Sequence, residues 1–211
     1  MTVKVLCPRR FEDSRGWFSE TFNRSRLEAA GITVDFCQDN QSFSRPQGTL
    51  RGLHFQAPPF AQTKLVRCLR GSIFDVAVDI RRASPTFGRW VGIELTADNG
   101  KQLLIPAGYA HAFLTLEPDC EIAYKVDAYY SAECDGGVAW DDPAIGIDWP
   151  LGGITPVLSD KDKALPQLKH LAVEFPYDGN PLGELQEIPA RARTYAASCS
   201  GWWSAHASPG T

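Results

Sequence analysis

The sequence predicts an all-β fold: an antiparallel jelly roll, sandwich or barrel, with a few short helices. Three observations predict it. Segments rich in Val, Ile, Phe and Tyr recur along the chain, Gly, Pro, Asn or Asp separate them, and stretches of helical period are few. The first candidate strand, 17–22, runs into a short helix from Asn23 to Ala30, with Asn23 placed to cap it and Gly31 to close it. Strands follow at 34–43, 49–56 and 62–70. Alternation is clearest in 74–80, where Phe74, Val76, Val78 and Ile80 interleave with Asp75, Ala77 and Asp79, an apolar face opposite a partly polar one. Segments 90–97, 102–105, 112–117 and 120–128 complete nine strands. After a Trp- and Pro-containing loop from Trp140 to Pro156, Ser159, Asp160, Lys161 and Asp162 are the candidate start of a second helix. Strand periodicity fades from about Tyr177. The expected organisation is one domain over 1–176 and a partly irregular extension over 177–211, in which Trp202 and Trp203 are candidates to dock on a neighbour.

Composition narrows the function classes. The chain has 211 residues, 44% hydrophobic and 22% charged, with a net charge of -4, which gives no general reason to expect a nucleic-acid partner. The N-terminus MTVKVLCPRRFEDSRG lacks an apolar signal core, and no run is long enough to span a bilayer, so a cytoplasmic location is expected. Cysteines stand at 7, 37, 68, 120, 134 and 199 with no C-x-x-C pair. Free thiols are expected, Cys68 as a small core residue, and a zinc cluster is not.

Between residues 48 and 111 two spacings stand out. Gly48 to His54 reads G-x5-H, and Gly100, Pro106, Gly108 and His111 read G-x5-P-x-G-x2-H. This frame resembles the cupin barrels, whose pattern G-x5-H-x-H-x3,4-E with the second motif supplies three histidines and a glutamate to one metal. Here Gln56 takes the place of the second histidine, and no Glu follows at the required distance. Two histidines and a carboxamide make a poor site for a divalent transition metal. The frame therefore predicts a pocket without metal or other cofactor, which must act through side chains alone.

Strict alternation in RGLHFQ puts His54 on the face of Gly52 and Gln56, with Arg51 and Phe55 opposite. Arg51 then acts from a strand end or an adjoining surface, unless twist and bulges redirect it. His54 suits general-base work because its proton leaves near neutral pH. In TKLVRCLRG, Lys64 is in line with Val66 and Cys68, and two readings stay open: a buried pocket cation able to stabilise an oxyanion, or a solvated edge-strand lysine. YKVDAYY sets Tyr124 and Tyr130 on one face if the strand continues, and a phenol can donate a proton to a carbanion. Asp162 has two readings as well. Ser159 and Asp162 have capping-box spacing, and a carboxylate there can instead orient a histidine.

These residues fall within strings that closely resemble the dTDP-4-dehydrorhamnose 3,5-epimerase family: DSRGWFSETF, QDNQSFS, GTLRGLHFQAPPFAQTKLVR, GSIFDVAVDIRRASPTFGRW, KQLLIPAGYAHAFLTL, YKVDAYY, GVAWDDPAIGIDWP and LSDKD, spanning 13 to 162 in family order. The resemblance implies a dimeric jelly-roll cupin acting without metal on a nucleoside-diphosphate 4-keto-6-deoxyhexose. It makes His54 the base with Asp162 as its partner, Lys64 the stabiliser of the enolate oxygen at C4, and Tyr124 the proton donor on the opposite face. Arg15, Phe18, Glu20, Gln38, Asn40, Arg51, Gln56, His111, Asp135 and Lys161 are implied substrate contacts, and Tyr130 stacks on the thymine. The DSRGWF segment, with Arg15 and Glu20, is expected to reach the partner subunit's site. Gln41 stands where a histidine is common and Thr63 where a glycine is common, both expected near the pocket; the chain beyond about Phe175 has no counterpart. Competing readings are an epimerase of one centre only, and a sugar-nucleotide-binding cupin without catalysis. The first predicts solvent exchange at C3 or C5 alone, the second none.

Overall fold

A computed structural model describes residues 1–189. The chain forms β1 (Lys4–Cys7), β2 (Arg10–Asp13), β3 (Gly16–Ser19), α1 (Arg24–Ala29), β4 (Gln38–Ser44), β5 (Leu50–Gln56), β6 (Lys64–Arg70) and β7 (Ser72–Asp79). There follow β8 (Trp90–Thr96), β9 (Gln102–Ile105), β10 (Tyr109–Thr115), β11 (Cys120–Val126), β12 (Asp135–Gly137), α2 (Asp160–Lys163), a 3-10 turn at Leu168–His170, and β13 (Gln186–Pro189). One sheet has the order β13-β1-β9-β6-β11-β4 and faces a second of order β12-β5-β10-β7-β8. A separate hairpin pairs β2 with β3. The fold is all-β and of jelly-roll type, as expected. Among the described residues no helix is long and apolar enough to cross a membrane.

Three apolar clusters hold the layers in place. Val66, Cys68, Ile73, Leu103, Phe113 and Ile122 meet between the two sheets. Leu53, Phe55, Val76 and Val78 turn to the outer face of the five-stranded sheet, where Trp149, Leu168 and Phe175 cover them. Leu6, Leu65 and Leu104 on the outer face of the six-stranded sheet pack with Ile32 and with Leu27 of α1. Each fully buried side chain of this size stabilises the fold by about 2 kcal/mol. The double covering explains β7. Its apolar residues face the outer cluster, so its partly polar face, Asp75, Ala77 and Asp79, is turned inward and fully buried.

Several expected boundaries moved for local reasons. The strand expected from 34 begins at Gln38, because Val34 and Phe36 pack on the outer cluster without pairing. Gly108, at φ 92°, turns the chain so that β10 starts at Tyr109 and not at 112. β11 stops at Val126, since the Asp127 carboxylate accepts from the backbone N–H of Thr63 at 2.6 Å. β1, β2, β12 and β13 were not anticipated; β12 is Asp135-Gly136-Gly137, which has no side-chain pattern to read. Both helix starts agree with expectation, Asn23 accepting from the Arg26 N–H and Ser159 from that of Asp162. Cys7, Cys37, Cys68, Cys120 and Cys134 are free thiols, and Cys68 is buried. Past Tyr177, Leu182 and Leu185 pack against the inter-sheet cluster, and β13 pairs in parallel with β1. Cys199, Trp202 and Trp203 lie outside the described residues.

Candidate active site

The site begins with an irregularity in β5. Across the β5/β10 pair, Arg51 stands opposite Phe113 and His54 opposite His111, so three steps on β5 match two on β10. Directly opposed residues share a face, and a bulge of this kind redirects a side chain. Arg51 and His54 therefore both face the inter-sheet space, which corrects the strict alternation expected from sequence. Gly52 makes this local form accessible: its φ is 125°, and a Cβ there would stand 2.6 Å from the His111 carbonyl oxygen. Arg51 donates to the Ser44 hydroxyl and the Phe43 carbonyl, each at 3.2 Å.

His54 Nε2 lies 2.5 Å from Asp162 Oδ1. Because the carboxylate accepts, Nε2 carries the proton and Nδ1 keeps the lone pair. Asp162 is 4% exposed, and its other oxygen accepts from the Ser159 hydroxyl at 2.8 Å. The two sequence readings of Asp162 are thus compatible, since the short helix that Ser159 caps presents the carboxylate to the histidine. Burial holds the His54 imidazole below the ordinary histidine value, against the pull of Asp162. At neutral pH the ring is uncharged, with Nδ1 as its basic nitrogen.

Lys64 is 9% exposed and sits on β6 between β9 and β11, inside the sheet, so the edge-strand reading is excluded. Its ammonium donates to the His54 carbonyl at 3.4 Å. Burial pushes its pKa down to about 8, opposed by the charges of Asp75 and Asp135. His111 Nε2 is 2.6 Å from Asp75 Oδ1, and Asp75 Oδ2 is buried without a hydrogen-bond partner. Sequence reasoning missed Asp75. Its signal was an acidic residue within a strand otherwise suited to a core, and the inward turn of that face could not be read from the pattern.

Tyr124 on β11 pairs with Val66 and Asn40, which directs it inward with Asn40 and Gln38. Gln38 Nε2 donates to Asn40 Oδ1 at 2.8 Å. Burial raises the Tyr124 pKa, offset in part by Arg51, so the phenol stays protonated. Tyr130 is not on the Tyr124 strand face, because β11 ends before it; it lies 61% exposed at the mouth. There its hydroxyl donates to Asp135 Oδ2 at 3.2 Å, and Lys161 pairs with the same oxygen. Gln56 directs its amide to main-chain groups of the mouth loops.

Arg15, Phe18 and Glu20 are not brought to this pocket within the chain. Arg15 sits at the tip of the β2–β3 hairpin, paired with Asp13 at 2.6 Å, and Phe18 is 68% exposed. Glu20 pairs with Arg26 of α1 at 3.0 Å and lines two concavities, of about 690 and 440 Å³, with residues of the six-stranded sheet and its flank. Gln41 also turns away: it alternates with Asn40 and pairs with Glu121 on the outer face, which corrects its expected place near the pocket. Thr63 accepts from the Ala107 N–H at 3.4 Å and steadies the turn into Lys64. Among the described residues, no group of three or more His, Cys, Asp or Glu is arranged to hold a metal ion.

The constellation suits proton transfer beside a carbonyl. It combines a neutral base, a cation for the developing oxyanion and a phenol that keeps its proton. A family model for dTDP-4-dehydrorhamnose 3,5-epimerase matches residues 1–170. A dTDP-4-dehydrorhamnose 3,5-epimerase of Sinorhizobium fredii is 56% identical over 175 residues, 83% of this chain and 89% of the relative. The crystal structure of the Bacillus anthracis enzyme with TDP and PPi bound is 53% identical, with a TM-score of 0.76 over 78% of this chain and 93% of that one. The Legionella pneumophila dTDP-6-deoxy-D-glucose-3,5-epimerase, in complex with dTDP-4-keto-L-rhamnose, is 43% identical with a TM-score of 0.79 over 83% and 94%. By the span of the family model and the identity of these relatives, the chain belongs to the dTDP-4-dehydrorhamnose 3,5-epimerases, isomerases that act on sugar nucleotides.

Proposed function

We propose that this chain inverts C3 and C5 of dTDP-4-keto-6-deoxy-D-glucose by metal-free proton transfer through an enolate. The observation that carries the reading is the His54–Asp162 pair with Lys64 and Tyr124 at one inter-sheet site. His54 Nδ1 takes the proton from the carbon beside the ketone, and the C–H electron pair moves onto O4, where the Lys64 ammonium meets the charge. The phenol of Tyr124 then protonates the carbon from the opposite face as the enolate collapses to the ketone. Solvent returns a proton to the phenolate and removes one from the imidazolium. The C4 ketone activates both C3 and C5, so a change of ring pose lets the same groups serve both centres. Arg51 and Lys161 suit diphosphate oxygens, Gln38, Asn40, His111 and Asp135 suit sugar and diphosphate contacts, and Tyr130 offers an exposed ring to the base.

The protein is further proposed to work in the cytoplasm as a homodimer. The β2–β3 hairpin supports the dimer, since Phe11, Trp17 and Phe18 stand exposed on it beside Arg15. In such a pair Arg15, Phe18 and Glu20 serve the partner's site. Mixing inactive Arg15→Ala and His54→Asn proteins then restores part of the activity, because a mixed dimer contains one site with both residues intact; no recovery after subunit exchange argues against shared sites.

Incubation with dTDP-4-keto-6-deoxy-D-glucose in deuterated water tests the reaction. Deuterium is expected at C3 and C5, and Tyr124→Phe retains exchange while losing inversion. Label at one carbon assigns a single-centre epimerase, and its absence at both refutes catalysis.

A further inference from the structure

Gln56 occupies the position where the cupin pattern has its second metal-binding histidine, and its amide is engaged on both sides. It is 4% exposed at the end of β5. Nε2 donates to the Phe60 carbonyl at 2.5 Å and the Tyr129 carbonyl at 3.0 Å, and Oε1 accepts from the Ser131 N–H at 2.9 Å. One carboxamide thus ties the loop after β5 to the loop after β11. Gln62 Nε2 donates to the Ala128 carbonyl at 2.8 Å, and Gln38 Oε1 accepts from the Tyr130 N–H at 3.2 Å. The loops carry little core of their own: Phe60 is 45%, Tyr129 67% and Tyr130 61% exposed. Packing cannot fix rings this exposed; the amide bonds hold the main chain beneath them, and beyond that the Tyr130 hydroxyl has its bond to Asp135.

We propose that Gln56 is a positioning residue for the nucleotide end of the substrate, holding the Tyr129–Tyr130 loop and the Phe60 loop in register across the mouth. The inference rests on the reading of this chain as a sugar-nucleotide epimerase. The chemistry requires a side chain with two N–H donors and an acceptor on one planar group. Histidine cannot supply that set, and glutamate would turn a carboxylate toward two carbonyl oxygens. The substitution of histidine by glutamine at this frame position therefore has a use of its own. The reacting carbons are served by groups held elsewhere, Lys64 on β6, Tyr124 on β11 and Asp162 on α2.

The test compares wild type, Gln56→Glu and the milder Gln62→Met, which loses a single bond to the same loop. Calorimetry with dTDP and steady-state kinetics with the 4-keto sugar nucleotide are the readouts. For Gln56→Glu, Kd for dTDP and KM both rise about tenfold or more, the scale of losing one to two hydrogen bonds, with kcat within about threefold of wild type. Gln62→Met moves the same constants in the same direction by less. In a Tyr130→Ala background the Gln56→Glu loss shrinks, because two residues acting through one contact are not additive. Unchanged dTDP affinity with a fallen kcat, or full additivity with Tyr130→Ala, overturns the positioning role. Should Gln56→Glu not fold, the Gln62→Met constants and their additivity with Tyr130→Ala decide the matter. A wild-type protein that neither binds dTDP nor exchanges solvent deuterium defeats the underlying reading and the inference with it.

Discussion

Replacing Lys64 by methionine should make the protein more stable while removing most of its turnover. The ammonium is 9% exposed, and burial lowers its pKa from 10.5 to about 8. At about 1.4 kcal/mol for each tenfold change in proton affinity, carrying the ammonium from the unfolded chain into the fold costs about 3 kcal/mol more than carrying the neutral amine, although with a pKa of about 8 the group remains charged at pH 7. Methionine has nearly the shape of that neutral side chain. The sign follows from linkage: between pH 8 and 10.5 the unfolded chain holds a proton on Lys64 that the folded chain has released, so native stability rises with pH there. The cost is full below about pH 8 and is lost as pH approaches 10.5. Urea denaturation at pH 7 should therefore show Lys64→Met about 3 kcal/mol more stable than wild type, the gap narrowing steadily toward pH 10. Other groups that titrate in this range cancel in the comparison. Turnover falls about 10²- to 10³-fold, the scale for loss of one oxyanion donor, with a smaller change in KM. A methionine variant less stable than wild type at pH 7, or a gap that does not change with pH, refutes the view that Lys64 is held charged at the expense of the fold.

The pH dependence of kcat/KM should be bell-shaped. The acid limb appears below the ordinary histidine value of 6.5, where His54 gains a proton despite its burial, and the basic limb runs through about 8 as Lys64 loses one. Lys64→Arg should lack the basic limb; a limb that persists there assigns it to another group. Gly52→Ala should destabilise the fold on the order of 3 kcal/mol, because the added carbon meets the His111 carbonyl and the Ala112 backbone at a positive φ. An unchanged melting temperature would show that the β5 bulge does not depend on glycine.

How far the site could be read varied from residue to residue. Lys64, Val66 and Cys68 share a face as alternation predicts, because β6 pairs without interruption along that stretch. Arg51 and His54 share a face against alternation, because one bulge shifts the register between them. Asp162 could be read two ways from local spacing, and both hold only because the α2 cap points its free oxygen at β5. Asp75 showed as an acidic residue in an apolar strand, but its inward direction could not be read, since period-2 patterning tells which residues share a face and not which face is inside. In β7 the more apolar face lies outward under the 138–175 segment, and the partly polar face lines the interior.

The sequence by itself determined the all-β class, the helix caps at Asn23 and Ser159, the family, and the residue types available for proton transfer. These depend on spacing and composition over a few neighbouring positions, where side-chain periodicity and capping act locally. Only the tertiary structure decided that Arg51 joins His54, that Asp75 backs His111, that Lys64 is buried, and that Gln41 and Glu20 face away from the pocket of their own chain. Those outcomes depend on register between strands distant in sequence and on what covers each face of a sheet, and both are set by long-range burial.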